Sequence, residues 1–352
     1  MSPAARRWLR PALLAAMVVG LLLFVVVQFT SVQRLASTLE RASPEWLAIS
    51  TVLYVCVFAV YALLYHYAFE AVEAPIATRD LIPVMFAAMF AKAIVPVEGA
   101  GFAAVLMADA SRHGHAPARA AAVAIVGSGV DLATTFPFIV ASLVVLVVRG
   151  SIAPYDVIGA LIFAGVAGAF GVALWLGAVR PALLVRLLSG VGTLVNATAR
   201  PFARRDVLGE GWPDRNAREF GLASAAIATH PGSIGRLAAV STLMHVLYIA
   251  GLAAIFLTFG QRVSPDVLLV TFSMTAMFYV VAFTPQGVGV VEGGTTLVLE
   301  ALGQPAPTAV AVTLVYRAVN IWVPVAIGFV AAQRLALGGA GPEDGSGSGA
   351  GR

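Results

Sequence analysis

The sequence predicts an all-α polytopic membrane protein: six transmembrane helices plus two re-entrant helical hairpins in an inverted-topology repeat. Three observations lead there. Sixty per cent of the 352 residues are hydrophobic and only 11% are charged. With a mean hydropathy of +0.91, that leaves too little polar surface for a soluble domain of this length. Six apolar runs are long enough to cross a hydrocarbon core of about 30 Å. Finally, one stretch occurs twice: adding 189 to residues 96–131, from Pro96 through Gly114 to Asp131, gives residues 285–320, from Pro285 through Gly303 to Asn320, with no gap. Seven of the 36 positions are identical, among them both Pro and both Gly. The constant offset and the matching hydrophobic segments on either side carry more weight than the identities. In a membrane protein, two such halves indicate a transporter built from repeats.

The first apolar run, about 11–29, follows Arg6-Arg7-Trp8-Leu9-Arg10. It is long for the core of a signal peptide, and no A-x-A-like cleavage site follows it, so it reads as a retained span. The other spans are about 47–68, 118–148, 157–179, 237–259 and 308–334, and Pro137 predicts a kink in the overlong third. Two regions behave differently. Residues 81–95 and 98–108 are short apolar pieces broken at Pro96-Val97-Glu98-Gly99, and residues 267–283 and 288–302 are broken at Thr284-Pro285-Gln286-Gly287. Fifteen residues of helix reach only about 22 Å, short of a full crossing. Each pair therefore reads as a re-entrant hairpin whose Pro/Gly tip lies inside the membrane, where exposed backbone is tolerated only within protein or beside a watery cavity.

With the N-terminus in the cytoplasm, sixteen arginines fall inside and only Arg34, Arg41, Arg149 and Arg262 outside, while Lys92 and Arg317 lie within apolar segments. This is a strong positive-inside bias and puts both termini in the cytoplasm of a multi-pass plasma-membrane protein. Two full crossings in place of each hairpin would give the same parity. Repeat 1 spans about 47–148 and repeat 2 about 237–334. Three spans separate the hairpins, so the repeats have opposite orientations: hairpin one enters from the cytoplasm and hairpin two from outside, with a site near the midplane where the tips meet. The basic linker of about 180–236 holds half of the inside arginines. Leu184, Leu187, Leu188, Val191, Leu194 and Val195 share one helical face there, which fits an interfacial helix, while a solvated basic loop fits the charge equally well. The membrane domain covers 1–337, and the Gly/Ser-rich segment 338–352 is expected to be a disordered cytoplasmic tail.

Ionisable residues at membrane depth are costly and so are functional candidates. They are Lys92, Glu98, Asp131, Glu292 and Arg317, with His66 and His245 as weaker ones. Internal ion pairs between Glu292 and Arg317, and between Lys92 and Glu98 or Asp131, would account for them structurally and could also serve as gates. A half-helix begins after each Pro/Gly break, and its first N–H groups favour anions. Gly287, Gly289, Gly293 and Gly294 keep one such end free of bulk for a headgroup phosphate, or else they allow close helix packing. Pro96 and Pro285 set the two breaks. The single cysteine, Cys56, excludes an internal disulfide, and His113-Gly114-His115 has no nearby third ligand for a metal. No phosphate-binding loop, dinucleotide fingerprint or nucleophile elbow is present, so no cofactor and no nucleic-acid partner is expected.

From Thr284-Pro285-Gln286-Gly287-Val288-Gly289-Val290-Val291-Glu292, through Gly303, to Tyr316-Arg317, Trp322, Pro324 and Gly328, the chain resembles the flippase-like transmembrane domain of bacterial lysylphosphatidylglycerol synthases and their stand-alone relatives. That family typically shows P-x-P-G-G-x-G-x-x-E, then Y-R, then W-x-P and a Gly. The resemblance covers about 10–335 and is most specific over 284–328. Gln286-Gly287 replaces the usual Pro-Gly-Gly opening, and Gly127-Ser128-Gly129 stands where the family often has an Arg before Asp131. The resemblance implies translocation of a membrane phospholipid, with aminoacylated phosphatidylglycerol as the best-known cargo, and does not imply synthesis. The expected mechanism is a headgroup slot lined by Glu98, Glu292, Arg317, Gly287, Gly289 and Tyr316, supported or gated by Lys92, Asp131, Pro96 and Pro285. Two rivals stand beside it. One is a membrane-embedded enzyme using Glu98, Asp131 or Glu292 as a base on a lipid-linked substrate. The other is a non-transporting partner of a lipid-modifying enzyme docked on the basic linker.

Overall fold

The computed structural model describes residues 42–94, 100–180, 211–229, 231–282 and 285–338, together with short helical pieces between 182 and 193. The first apolar run, the break carrying Pro96 and Glu98, much of the linker and the tail lie outside the described residues.

Among the described residues the chain is helical and has no strand. The stretch that the sequence reads as repeat 1 comprises α1 (Pro44–Ala71), α2 (Thr78–Ile94), α3 (Ala100–Arg112) and α4 (Pro117–Val148). Then follow α5 (Pro154–Val179) and α6 (Trp212–Thr229). The stretch read as repeat 2 comprises α7 (Pro231–Thr258), α8 (Pro265–Val281), a 3-10 turn at Pro285–Gly287, α9 (Val290–Ala301), α10 (Ala306–Arg317), a π turn at Ala318–Trp322 and α11 (Val323–Gly338). Among the described residues, five helical stretches are long and apolar enough to cross a membrane: Pro44–Ala71, Pro117–Val148, Pro154–Val179, Gly232–Thr258 and Ala306–Leu335. The arms α2, α3, α8 and α9, of 17, 13, 17 and 12 residues, reach only about 18–26 Å at 1.5 Å per residue. α4 continues as one helix through Pro137.

The two stretches repeat their boundaries. α1 and α2 begin at Pro44 and Thr78; α7 and α8 begin at Pro231 and Pro265, each 187 residues later. After the breaks the offset becomes 189: α3 and α9 end at Arg112 and Ala301, and α4 and α10 begin at Pro117 and Ala306. The two breaks therefore differ by two residues. Gly114 and Gly303 are the same device. Their φ values are +78° and +83°, and the following N–H, of His115 or Gln304, donates to Ala110 or Leu299 C=O five residues back. This left-handed glycine ends each helix and satisfies its last carbonyls.

The repeats also interlock reciprocally. α1 packs along α7, α2 packs on α11, and α8 packs on α4, so the second helix of each stretch lies against the last helix of the other. α1 and α7 run antiparallel. Ser43 N–H, just before α1, donates to Thr258 C=O at the end of α7 (2.8 Å), and at the other end Arg236 reaches Glu70 at 3.1 Å. The α2–α11 contact is close because Gly328 lies against the Phe86 carbonyl, where any Cβ would overlap backbone. Leu161, Val172 and Trp175 on α5 are exposed, as an apolar face turned to lipid would be.

α6 lies inside the segment read from sequence as a basic linker. It packs on α4 and α5, buries Ala217, Phe220, Ala223 and Ser224, and pairs Glu219 with Arg119 at 3.1 Å. For this part of the linker, a solvated loop is replaced by a packed helix.

Candidate functional site

Between the two repeats lies a cavity of about 630 Å³. α1 contributes Tyr61, α2 contributes Met89 and Lys92, and α4 contributes Ser128, Asp131 and Thr135. From repeat 2 come His245 and Tyr248 on α7, Phe272 and Tyr279 on α8, Gln286 at the break, Tyr316 on α10 and Asn320 on the π turn; α5 closes one side with Phe163, Val166 and Phe170. Asp131 and Asn320, separated by the repeat offset of 189, both line it. The π turn lies just before Pro324, which has no N–H to continue the helical ladder.

The sequence candidates divide into two groups. Lys92, Asp131 and Tyr316 line the cavity. Glu292 and Arg317 do not; they form a lock behind the second break. Arg317 is 1% exposed. Its Nε donates to Glu292 Oε1 (2.8 Å), one Nη to Tyr279 Oη (2.6 Å) and the other to the Gln286 carbonyl (2.9 Å). One guanidinium thus ties α10 to α9, α8 and the break. Its planar fork suits that task, which a single ammonium would not perform. Gln286 has φ +54°, uncommon for a residue with a Cβ, and it is fully enclosed, with its side-chain amide beside Met89 Sδ of α2.

The glycines have local explanations. Gly287 has φ +66°, and a Cβ there would collide with Val291. Gly289 has φ +84° and caps α9; its N–H donates to Glu292 Oε2 at 2.7 Å. The first donor of this half-helix is therefore engaged by the protein's own carboxylate, three residues on. Pro285 opens the 3-10 turn. Glu98 and Pro96 lie outside the described residues.

His245, weighed lightly from sequence, proves to be the centre of a polar cluster. It is buried. Its Nε2 lies 3.0 Å from Thr134 Oγ1, 3.1 Å from Thr135 Oγ1 and 3.7 Å from Asp131 Oδ1. Ser241 donates to Asp131 Oδ1 at 3.2 Å and lies 2.8 Å from Thr134 Oγ1. Ser241 and His245 are one turn apart on α7, and Asp131, Thr134 and Thr135 one turn apart on α4, so the crossing of these helices assembles the cluster. Asn320 had a sequence signal, the offset from Asp131, and Tyr316 was expected from the resemblance; Tyr61, Tyr248 and Tyr279 had none without the helix phases. No group of three or more His, Cys, Asp or Glu residues suited to a metal occurs among the described residues.

The family model described as lysylphosphatidylglycerol synthase TM region matches residues 12–328. No curated protein matches the chain.

Proposed function

The chain belongs to the lysylphosphatidylglycerol synthase TM region family, a family of membrane lipid biology, and from this premise we propose that it moves a lipid between leaflets. The cargo is an anionic or aminoacylated phospholipid, or another lipid-linked phosphate. The observation that carries this reading is the cavity between the repeats, which sets Lys92 and Asp131 among aromatic and methionine side chains. About 630 Å³ is room for a headgroup rather than a whole lipid, which leaves the acyl chains in the bilayer. Its mixed lining suits a cargo with one polar end.

In this reading the protein has six spans and two re-entrant hairpins in an inverted repeat, both termini in the cytoplasm of the plasma membrane. The antiparallel α1–α7 pair, the shared boundaries and the reciprocal packing of the hairpin arms support it. Alternating access would then be a rocking of one repeat against the other about the cavity. The Arg317–Glu292 lock holds the second break to its own repeat, so that the hairpin moves as one body. Lys92 attracts the phosphate, and Asp131 an ammonium where the headgroup carries one.

The test is reconstitution into liposomes carrying fluorescent phosphatidylglycerol, aminoacylated phosphatidylglycerol or phosphatidylcholine, with leaflet exchange read by quenching from outside. We expect exchange of at least one anionic or aminoacylated lipid that Lys92→Ala abolishes. No exchange of any lipid by folded protein, or appearance of a chemically new lipid, would overturn the proposal.

A further inference from the structure

We infer that Asp131 is a proton-binding site and that an anionic headgroup entering the cavity takes up one proton there. The inference rests on the lipid-carrying reading of the cavity and adds a second, coupled ligand to it.

The first argument is charge. Arg317 and Glu292 compensate each other at 2.8 Å. Among the described residues lining the cavity, Lys92 and Asp131 are the charged ones, and the ammonium and the carboxylate balance. Adding one phosphate charge leaves this low-dielectric space one negative charge in excess, which is expensive so far from water. Protonating Asp131 restores neutrality and leaves Lys92 facing the phosphate.

The second argument is the geometry of the cluster, which decides where the proton goes. The Thr135 hydroxyl donates its one proton to the Asp131 carbonyl at 2.8 Å. Its oxygen therefore accepts from His245 Nε2, so Nε2 carries the ring hydrogen. Nδ1 is then a bare lone pair, buried and without a hydrogen-bond partner, with the rings of Phe138 and Phe272 5.6 and 5.5 Å from the imidazole. A second ring proton would strand a charged N–H among these rings. Asp131, whose side chain is 32% exposed and lines the cavity, has no such obstacle. His245 is thus a positioning residue: its Nε2–H holds Thr135, one turn from Asp131 on α4, while Ser241 donates to the carboxylate itself.

Among the described residues, few other charged or titratable groups surround Asp131. α1 presents Tyr61 and Tyr65, α2 Lys92, α7 Tyr248, α8 Tyr279 and α10 Tyr316. The α5 lining is apolar. Tyrosines stay neutral near pH 7, so among these described groups Asp131 is the one that can change charge.

The experiment is calorimetric binding of dioctanoyl phosphatidylglycerol to the full-length protein in detergent, in buffers of different ionisation enthalpy, from pH 5 to 9. The expected result is uptake of about one proton per lipid above the titration of Asp131, with affinity falling about tenfold per pH unit there. In Asp131→Asn the uptake is lost and the pH dependence is flat. Dioctanoyl phosphatidylcholine, which has no net charge, gives no uptake. Phosphatidylglycerol binding without proton uptake overturns the inference while leaving the lipid reading intact, as does uptake that persists in Asp131→Asn or a requirement for sodium in place of the proton. Absence of lipid binding at every pH overturns the lipid reading and this inference with it. Should Asp131→Asn not fold, the wild-type uptake and its absence with phosphatidylcholine still decide the matter.

Discussion

Replacing Arg317 with alanine tests the lock behind the second break. The guanidinium is 1% exposed and makes charge-assisted bonds to Glu292 (2.8 Å), Tyr279 (2.6 Å) and the Gln286 carbonyl (2.9 Å). Each such bond is worth about 1.5–3 kcal/mol net. They do not simply add, because deleting the side chain also removes the cost of burying its charge. What remains is the stranding of Glu292, whose side chain is 19% exposed and which keeps the Gly289 N–H. Breaking a buried pair from one side costs about 3–5 kcal/mol, and the partial exposure of Glu292 places the loss toward the lower end. Unfolding in mixed micelles should be measured for wild type, Arg317→Ala, Glu292→Ala and the double variant. We expect the double to be more stable than the sum of the singles implies, by about 2–3 kcal/mol. Additivity within about 0.5 kcal/mol would refute the lock as a coupled unit and reduce Glu292 to a helix cap.

Two further outcomes follow from backbone geometry. Gly289→Ala meets only its backbone, φ +84° and ψ −47°, outside the left-handed region, with open space at the new Cβ, and should cost about 1–3 kcal/mol; Gly287→Ala adds a collision with Val291 to a positive φ and should lose at least about 1 kcal/mol more, so equal stabilities in the same unfolding assay would contradict the turn as described. Gly328→Ala drives a methyl into the Phe86 carbonyl and should part α2 from α11, accelerating hydrogen exchange in α2 beyond that in α8; unchanged exchange would show that the helices do not touch there.

Legibility from sequence followed the kind of signal each residue carries. Glu292 and Arg317 were readable as a pair because both lie in apolar runs that offer no route to water, and the structure joins them at 2.8 Å. The Gly289 donor, which the sequence leaves open to a phosphate, is capped by Glu292, an acid whose N3 position suits that bond. α6 was obscured by its charges, although Ala217, Phe220 and Ser224 already stand at helical spacing. The His245 cluster was illegible because it depends on how α4 crosses α7, and a pattern within one helix does not fix the phase of a neighbour. The repeat was legible in its boundaries but not in its division of labour. Helix ends, left-handed glycines and antiparallel pairing recur, yet at equivalent positions Ser128 stands against Arg317 and Asp131 against Asn320. Ser128, Asp131 and Asn320 face the cavity, while Arg317 turns away to hold the break. A frame that keeps its geometry while moving the acid to one half and the buried cation to the other has separated two tasks. The first half sets Asp131 at the cavity, and the second holds an ion pair enclosed away from it.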